Sequence, residues 1–344
     1  MSRRRFLKRS ALIGAAAVAG GFAALTATSQ QPSPAGAANR RIRILMGGYG
    51  PPSTGFSVAL KKIGDRLEAR FGDGVEVKYV YNILDLGYRG EDILWLVEQG
   101  VLTLGYQSSS YLTDRVHDLG AADLPFIFSD ARQARAAMDG RLGQLLTASI
   151  EAAVNYRIVG YFENGFRHVS NRLRPIRAPA DLKGMKIRVL PSKVQARTFE
   201  LLGADPKIMD LSEAIDAVKA GTLDAQENPF ANTVTYGVHK YHRFHSATSH
   251  FYLSRPIFVH RPTYDLWPRA LQEELRAAVH DAISFQRESH VKEEEDAMSA
   301  IRAEGGDILE LTREEHGAFV AAVTPIYGEA RREYSREVLA LLNV

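Results

Sequence analysis

The chain has 344 residues, no cysteine, and 43 Lys and Arg against 40 Asp and Glu, for a formal charge of +3. The lack of cysteine excludes disulfides, zinc–thiolate sites, a thiol nucleophile and a lipidated N-terminal cysteine. Five basic residues (Arg3, Arg4, Arg5, Lys8 and Arg9) lie in an N-terminal segment without acids; without them +3 becomes −2, and nucleic-acid binding loses its electrostatic basis.

That segment reads SRRRFLK, followed by an Ala/Gly-rich run from Ala11 to Leu25 with no charge between Arg9 and Arg40. Paired arginines before Phe-Leu-Lys and a mildly apolar stretch match a twin-arginine export signal. Gly14, Gly20 and Gly21 dilute the run, whereas a membrane-spanning helix needs about 20 strongly apolar residues. Ala35-Gly36-Ala37 supplies the small residues that signal peptidase accepts. The expectation is a signal peptide over residues 1–37, cleavage near Ala37/Ala38, and a periplasmic mature protein. An uncleaved anchor is the alternative.

About 305 mature residues exceed one compact core and predict two lobes. RIRILMGG reads as a first strand, leaving through GYGPPSTG into a helix from about Phe56 to Phe71; VEVKYVY alternates as a second strand. A helix over Glu91–Glu98 and the strand VLTLGYQ follow, then helices over Ala131–Met138 and Leu142–Val154 and the strand RIVGYF. Such alternation predicts a mostly parallel sheet with ligands at the carboxyl ends of its strands. A second α/β pattern begins near Gly165, with the strand KIRVL and helices over Lys193–Leu202 and Ser212–Ala220. Near Arg255 the chain turns apolar again, in PIFVH, as if returning to the first lobe. Pro268 to Glu304 holds no Pro or Gly after its first residue, which predicts one long helix or a nearly continuous pair, about 55 Å in all, able to brace both lobes. The expected lobes are residues 40–164 with 254–290, and 165–253 with 291–344.

Few motifs carry chemistry. GGYGPPSTG lacks the Walker lysine and loses two N–H donors to Pro51 and Pro52, so a nucleotide site is not expected, although Tyr49 stands at a strand's carboxyl end. His239, His242, His245 and His250 cluster in VHKYHRFHSATSH, and His242 and His245 have ligand spacing, but no metal site is expected among residues that read as a surface-to-core connection. No Gly-x-Ser-x-Gly or His-Glu-x-x-His motif is present. No cofactor and no catalysis are expected.

Arg188 sits between Ile187 and Val189 in a short apolar strand without an acid. A buried, unpaired guanidinium costs several kcal/mol, so its partner is either a carboxylate elsewhere in the fold or a ligand. The surrounding phrases DLKGMKIRV and LSEAIDAVKAGTLDAQENP, with the earlier LGYRGEDILWLVEQG, DLPFIF and NGFRHVSN, resemble the solute-binding subunits of TRAP transporters. These are the tripartite, ATP-independent carriers of organic acids. The resemblance covers nearly the whole mature chain. It implies an α/β periplasmic-binding-protein fold of type II-like form, with hinge strands and a long C-terminal helix. It implies a receptor that delivers an organic acid to TRAP membrane subunits; a monomer is expected.

By position, the resemblance puts Arg188 on the arginine that forks to a ligand carboxylate, Arg167 on a second arginine beside it, and Asn228 on a hydrogen-bond donor to the same anion. It also puts Tyr252 in the pocket, and Tyr49, Ser108 and Phe230 complete the candidate lining. After Leu86-Gly87 the pattern has an acid where this chain has Arg89, which either meets a second anionic or carbonyl group of the ligand or points to solvent. The solute itself is left open among aromatic acids, 2-oxo acids, dicarboxylates, sugar acids and sulfonates. An ABC-type or sensor-coupled receptor, or a secreted α/β hydrolase, are the alternative readings.

Overall fold

A computed structural model describes residues 41–344; the expected signal peptide lies outside the described residues. The elements run β1 (Ile42–Gly47), α1 (Gly55–Phe71), β2 (Val75–Val80), α2 (Asp92–Glu98), β3 (Leu104–Tyr106), α3 (Leu119–Ala122), α4 (Ala131–Asp139), α5 (Arg141–Ala153) and β4 (Tyr156–Asn171). Then follow β5 (Lys186–Val189), α6 (Lys193–Leu201), β6 (Asp205–Ile208), α7 (Leu211–Lys219), β7 (Ala225–Asn228), α8 (Phe230–Thr235) and β8 (Phe244–His260). The chain closes with α9 (Arg261–Asp265), α10 (Arg269–Ala303), β9 (Asp307–Glu310), α11 (Arg313–Val323), α12 (Pro325–Glu333) and α13 (Arg336–Leu341).

Helix α1 shows how locally the chain specifies itself. Thr54 caps it by accepting from the Ser57 N–H, and Phe56, Leu60, Ile63 and Leu67 bury one face at helical spacing. Gly72 ends it at φ 51°, a conformation that a side chain would oppose.

The strands form one sheet in the order β2-β1-β3-β8-β4-β7-β5-β6, with β9 on β8. Parallel trios (β1–β3 at one side, β5–β7 at the other) flank an antiparallel pair, β4 and β8, of 16 and 17 residues. These two long strands serve both halves. Residues Leu104–Tyr106 pair with the carboxyl end of β8, and His168–Asn171 at the carboxyl end of β4 pair with β7. The register of β4 and β8 slips three times between Ile158 and Val169. Such bulges bend a ribbon locally. At one slip, Gly165 has φ 87°, and a Cβ there would stand 2.3 Å from the ring of His290.

The burial pattern separates two cores. The larger gathers Ile44, Leu60, Val97, Phe162, Phe258 and Leu275; the smaller gathers Ile187, Val189, Phe199, Phe251 and Phe319. Helix α10, about 52 Å long for its 35 residues, packs on α1 and β4 and then on α8, so it spans both halves as the sequence predicts. The C-terminal segment divides. Phe319 and Val323 join the smaller core, whereas Ile326, Val338, Leu339 and Leu342 fold back onto the larger.

Candidate functional site

Where the two halves meet, Tyr49, Gln107, Ser108, Tyr111, Asn164, Arg167, Arg188, Leu190, Leu211, Asn228, Tyr236 and Arg255 line a cavity of ≈ 20 Å³. A neighbouring space, also ≈ 20 Å³, shares Tyr49, Tyr236 and Arg255 and extends to Phe56, His290 and Glu293. Either volume holds about one water molecule. The walls are drawn together by bonds between the halves. Asp210, which caps α7, accepts from the Gly90 and Glu91 N–H groups at 3.1 and 2.9 Å, and Gln195 Nε2 donates to Ser110 Oγ at 2.9 Å.

Three arginines face this cavity in different electrical states. Arg167, on β4, is 1% exposed and grips Glu227 with Nε and Nη2; Nη2 also donates to the Glu227 carbonyl at 2.6 Å. Burial alone would raise the Glu227 carboxyl, but Arg167, by charge and hydrogen bond, and His250 hold it below the ordinary carboxylate range. The charge of Arg167 is therefore matched within the fold. Arg188, on β5, is 2% exposed; its Nε donates to the Met209 carbonyl at 3.1 Å and its Nη2 to Tyr111 Oη at 3.0 Å. Among the described residues no carboxylate stands within 4.0 Å of it. Arg255, on β8, is likewise buried and, among the described residues, has no carboxylate within 4.0 Å; its Nη2 donates to Asn164 Oδ1 at 2.6 Å.

Five of the residues singled out from sequence line the cavity: Arg188, Arg167, Asn228, Tyr49 and Ser108. Asn228 donates Nδ2 to Gln226 Oε1 at 2.5 Å. Three do not. Arg89 is half-exposed and pairs with Glu91 and, at 3.8 Å, Asp92, so it faces solvent rather than the cavity. Tyr252 is buried edge-on between Phe128 and Phe166, at 5.7 and 5.4 Å. Phe230 stacks on His168 at 4.4 Å and packs against Ala297 and Ile301 of α10. Sequence reasoning passed over Arg255, although SRPIFVH repeats the signal of KIRV, an arginine within an apolar strand lacking an acid. It missed Asn164, Tyr111 and Tyr236, for which no local pattern stands out.

The histidine cluster is interior. His242 Nδ1 meets Ser170 Oγ at 3.0 Å, His245 Nε2 meets the His242 carbonyl at 2.9 Å, and burial pushes the two rings down to about 3 and about 4. They are neutral at physiological pH. No group of three metal-ligating side chains occurs among the described residues, and no described helix is long and apolar enough to cross a membrane.

Residues 47–333 match the family of bacterial extracellular solute-binding proteins, family 7. The chain belongs to that family. A solute-binding protein of Verminephrobacter eiseniae is 27% identical over 282 residues, 82% of this chain and 83% of that one. The 2,3-diketo-L-gulonate-binding periplasmic protein of Escherichia coli is 27% identical over 252 residues, 73% of this chain and 76% of its own length. A TRAP periplasmic solute-binding protein from Polaromonas sp. JS666, solved bound to D-erythronate, has a TM-score of 0.82 at 25% identity, over 88% of this chain and 99% of that one. The two-lobed α/β fold and the TRAP receptor class expected from the sequence are thereby borne out.

Proposed function

We propose that this family 7 receptor closes on an organic acid whose carboxylate lies against Arg188, with Asn228 as a hydrogen-bond donor and Arg167 as a positioning residue beneath. The observation that carries the reading is the burial of the Arg188 guanidinium with only a carbonyl and a phenol as partners. A planar guanidinium matches a carboxylate in fork geometry, and charge-assisted hydrogen bonds are the stronger kind. The relatives named for diketogulonate and solved with erythronate support an organic acid as the solute.

The lobes that part and close are proposed to be residues 40–164 with 254–290 and 165–253 with 291–323, the segment from Pro325 onward returning to the first. The long strands β4 and β8, slipped in register between Ile158 and Val169, are the proposed hinge. A cavity of ≈ 20 Å³ admits no organic acid until the lobes part, and the clasp of Asp210 on Gly90 and Glu91 favours the shut form. The mature protein is proposed to reach the periplasm by the twin-arginine route, to act as a monomer without catalysis, and to hand its solute to TRAP membrane subunits. Thermal-shift screening of purified mature protein against organic acids tests this. A ligand that binds N but not U raises the melting temperature. An acid that stabilises the protein and is recovered unchanged supports the reading; turnover of the acid, or no stabilisation by any acid, contradicts it.

A further inference from the structure

We propose that Arg255 forms a second anion subsite in the cavity that holds Arg188, and that the solute is accordingly a diacid with one carboxylate on each guanidinium. The inference rests on the reading of Arg188 given above.

Charge accounting within the cavity carries it. The lining holds three guanidinium groups and no acid. Glu227 matches Arg167, which leaves two buried positive charges, on Arg188 and Arg255. A monoacid would match one and leave the other uncompensated in a dry site, where removing a partner from a buried charge is costly.

The surroundings of Arg255 hold the cation without neutralising it. Its guanidinium lies over Phe56, Tyr49 and Tyr106, at 4.1, 4.9 and 5.9 Å from the ring centroids. Ring faces attract a cation yet leave the donors at its edge free for an in-plane acceptor. Arg255 Nε is buried with no hydrogen-bond partner, and so are Asn164 Nδ2 and Ser108 Oγ, on two further residues of the lining. Because Asn164 Oδ1 must accept from Arg255, its amide is held with Nδ2 as the spare donor. Three unpaired donor groups lining one cavity suit a second carboxylate.

The other titratable groups nearby do not supply that charge. Burial and Arg255 together push His290 down to about 4, so it is neutral. Burial raises the Tyr49 hydroxyl well above its ordinary value. Glu293 shares the neighbouring wall and feels the charge of Arg255, but burial raises its carboxyl above the ordinary range, its Oε1 accepts from the Gly55 N–H at 2.5 Å, and among the described residues it forms no ion pair with Arg255 within 4.0 Å.

The test compares linear diacids of three to six carbons and phthalate with their monoamides, which keep the shape and lose one charge. Calorimetric titration of the purified protein is expected to find a diacid that binds at least tenfold more tightly than its monoamide. Arg255→Gln should bring that ratio down to about one; Arg188→Lys should weaken both. Equal binding of a diacid and its monoamide to the unmodified protein overturns the inference, as does an unchanged ratio in Arg255→Gln. If that variant fails to fold, the ratio in the unmodified protein decides alone. Binding of monoacids only, dependent on Arg188, removes the diacid and leaves the receptor reading standing. Binding of no acid removes both.

Discussion

Arg167 and Arg188 are both buried arginines on strands that flank β7, yet only one finds a carboxylate, and the register of β7 explains why. β4 pairs antiparallel with β7 so that Val169 stands opposite Glu227, and Arg167, just before it across a slip in the β4–β8 register, reaches the Glu227 carboxylate. β5 pairs parallel with β7 so that Arg188 stands level with Gln226. Side chains alternate along β7, so that face presents the neutral amides of Gln226 and Asn228 and turns Glu227 away. One strand thus completes an internal ion pair for Arg167 and leaves Arg188 without a counter-charge.

Breaking the closed pair should have the largest effect. Glu227→Gln leaves Arg167 buried without a counter-charge, and removing one partner of a buried ion pair costs about 3–5 kcal/mol, enough to lower the melting temperature of the ligand-free protein by many degrees. The pair also has a pH signature. A carboxyl held below its ordinary 4.5 contributes stability that is complete above that pH and lost as pH falls through its folded value. Acid unfolding curves should lose this component in Glu227→Gln; a variant as stable as the parent would show the pair to be dispensable.

Asp123 gives the opposite sign. Burial pushes its carboxyl up to about 7 despite hydrogen bonds from Ser192 and Ser110, the latter at 2.9 Å. The folded state then holds a proton that the unfolded chain releases near pH 4, so stability falls from about pH 4 to about pH 7. Asp123→Asn should flatten that slope, and denaturant titrations at pH 5 and pH 8 measure it. Parallel slopes in parent and variant would contradict the assignment.

The smallest effect is expected at Arg89. Exposed ion pairs such as Arg89 with Glu91 contribute at most about 1 kcal/mol. Arg89→Ala should leave both acid affinity and melting temperature nearly unchanged; a selective loss for diacids would move the second subsite from Arg255 back to Arg89.

The contrast between the arginines also marks what the sequence could disclose. Local signals were sufficient where the determinant is local: Thr54 and Gly72 bound α1, and the unbroken run after Pro268 gives α10. Arg188 was legible because an arginine in KIRV has no acid within reach along the chain. Its distinction from Arg167 was not, because Glu227 meets Arg167 through strand pairing across 60 residues. Arg255 carried the same signal as Arg188 but lay in a stretch read only for its return to the first lobe. Tyr252 and Phe230 misled because an aromatic residue near a site is as well suited to the core beneath it. The split of the C-terminal segment between the two cores likewise depends on packing that no periodicity encodes.

Central to the account is that the partner of Arg188 comes from outside the fold. The direct measurement pairs ligand-free melting curves with calorimetric titration of a bound organic acid for Arg188→Met and Arg188→Lys. Loss of a hydrogen bond to a charged group costs about 1.5–3 kcal/mol, so Arg188→Lys should weaken binding roughly ten- to hundredfold. Arg188→Met should abolish binding while the ligand-free protein melts at or above the parent temperature, because an unmatched buried charge has been removed. A lower melting temperature with unchanged affinity would mean that Arg188 serves the fold, and would contradict the account.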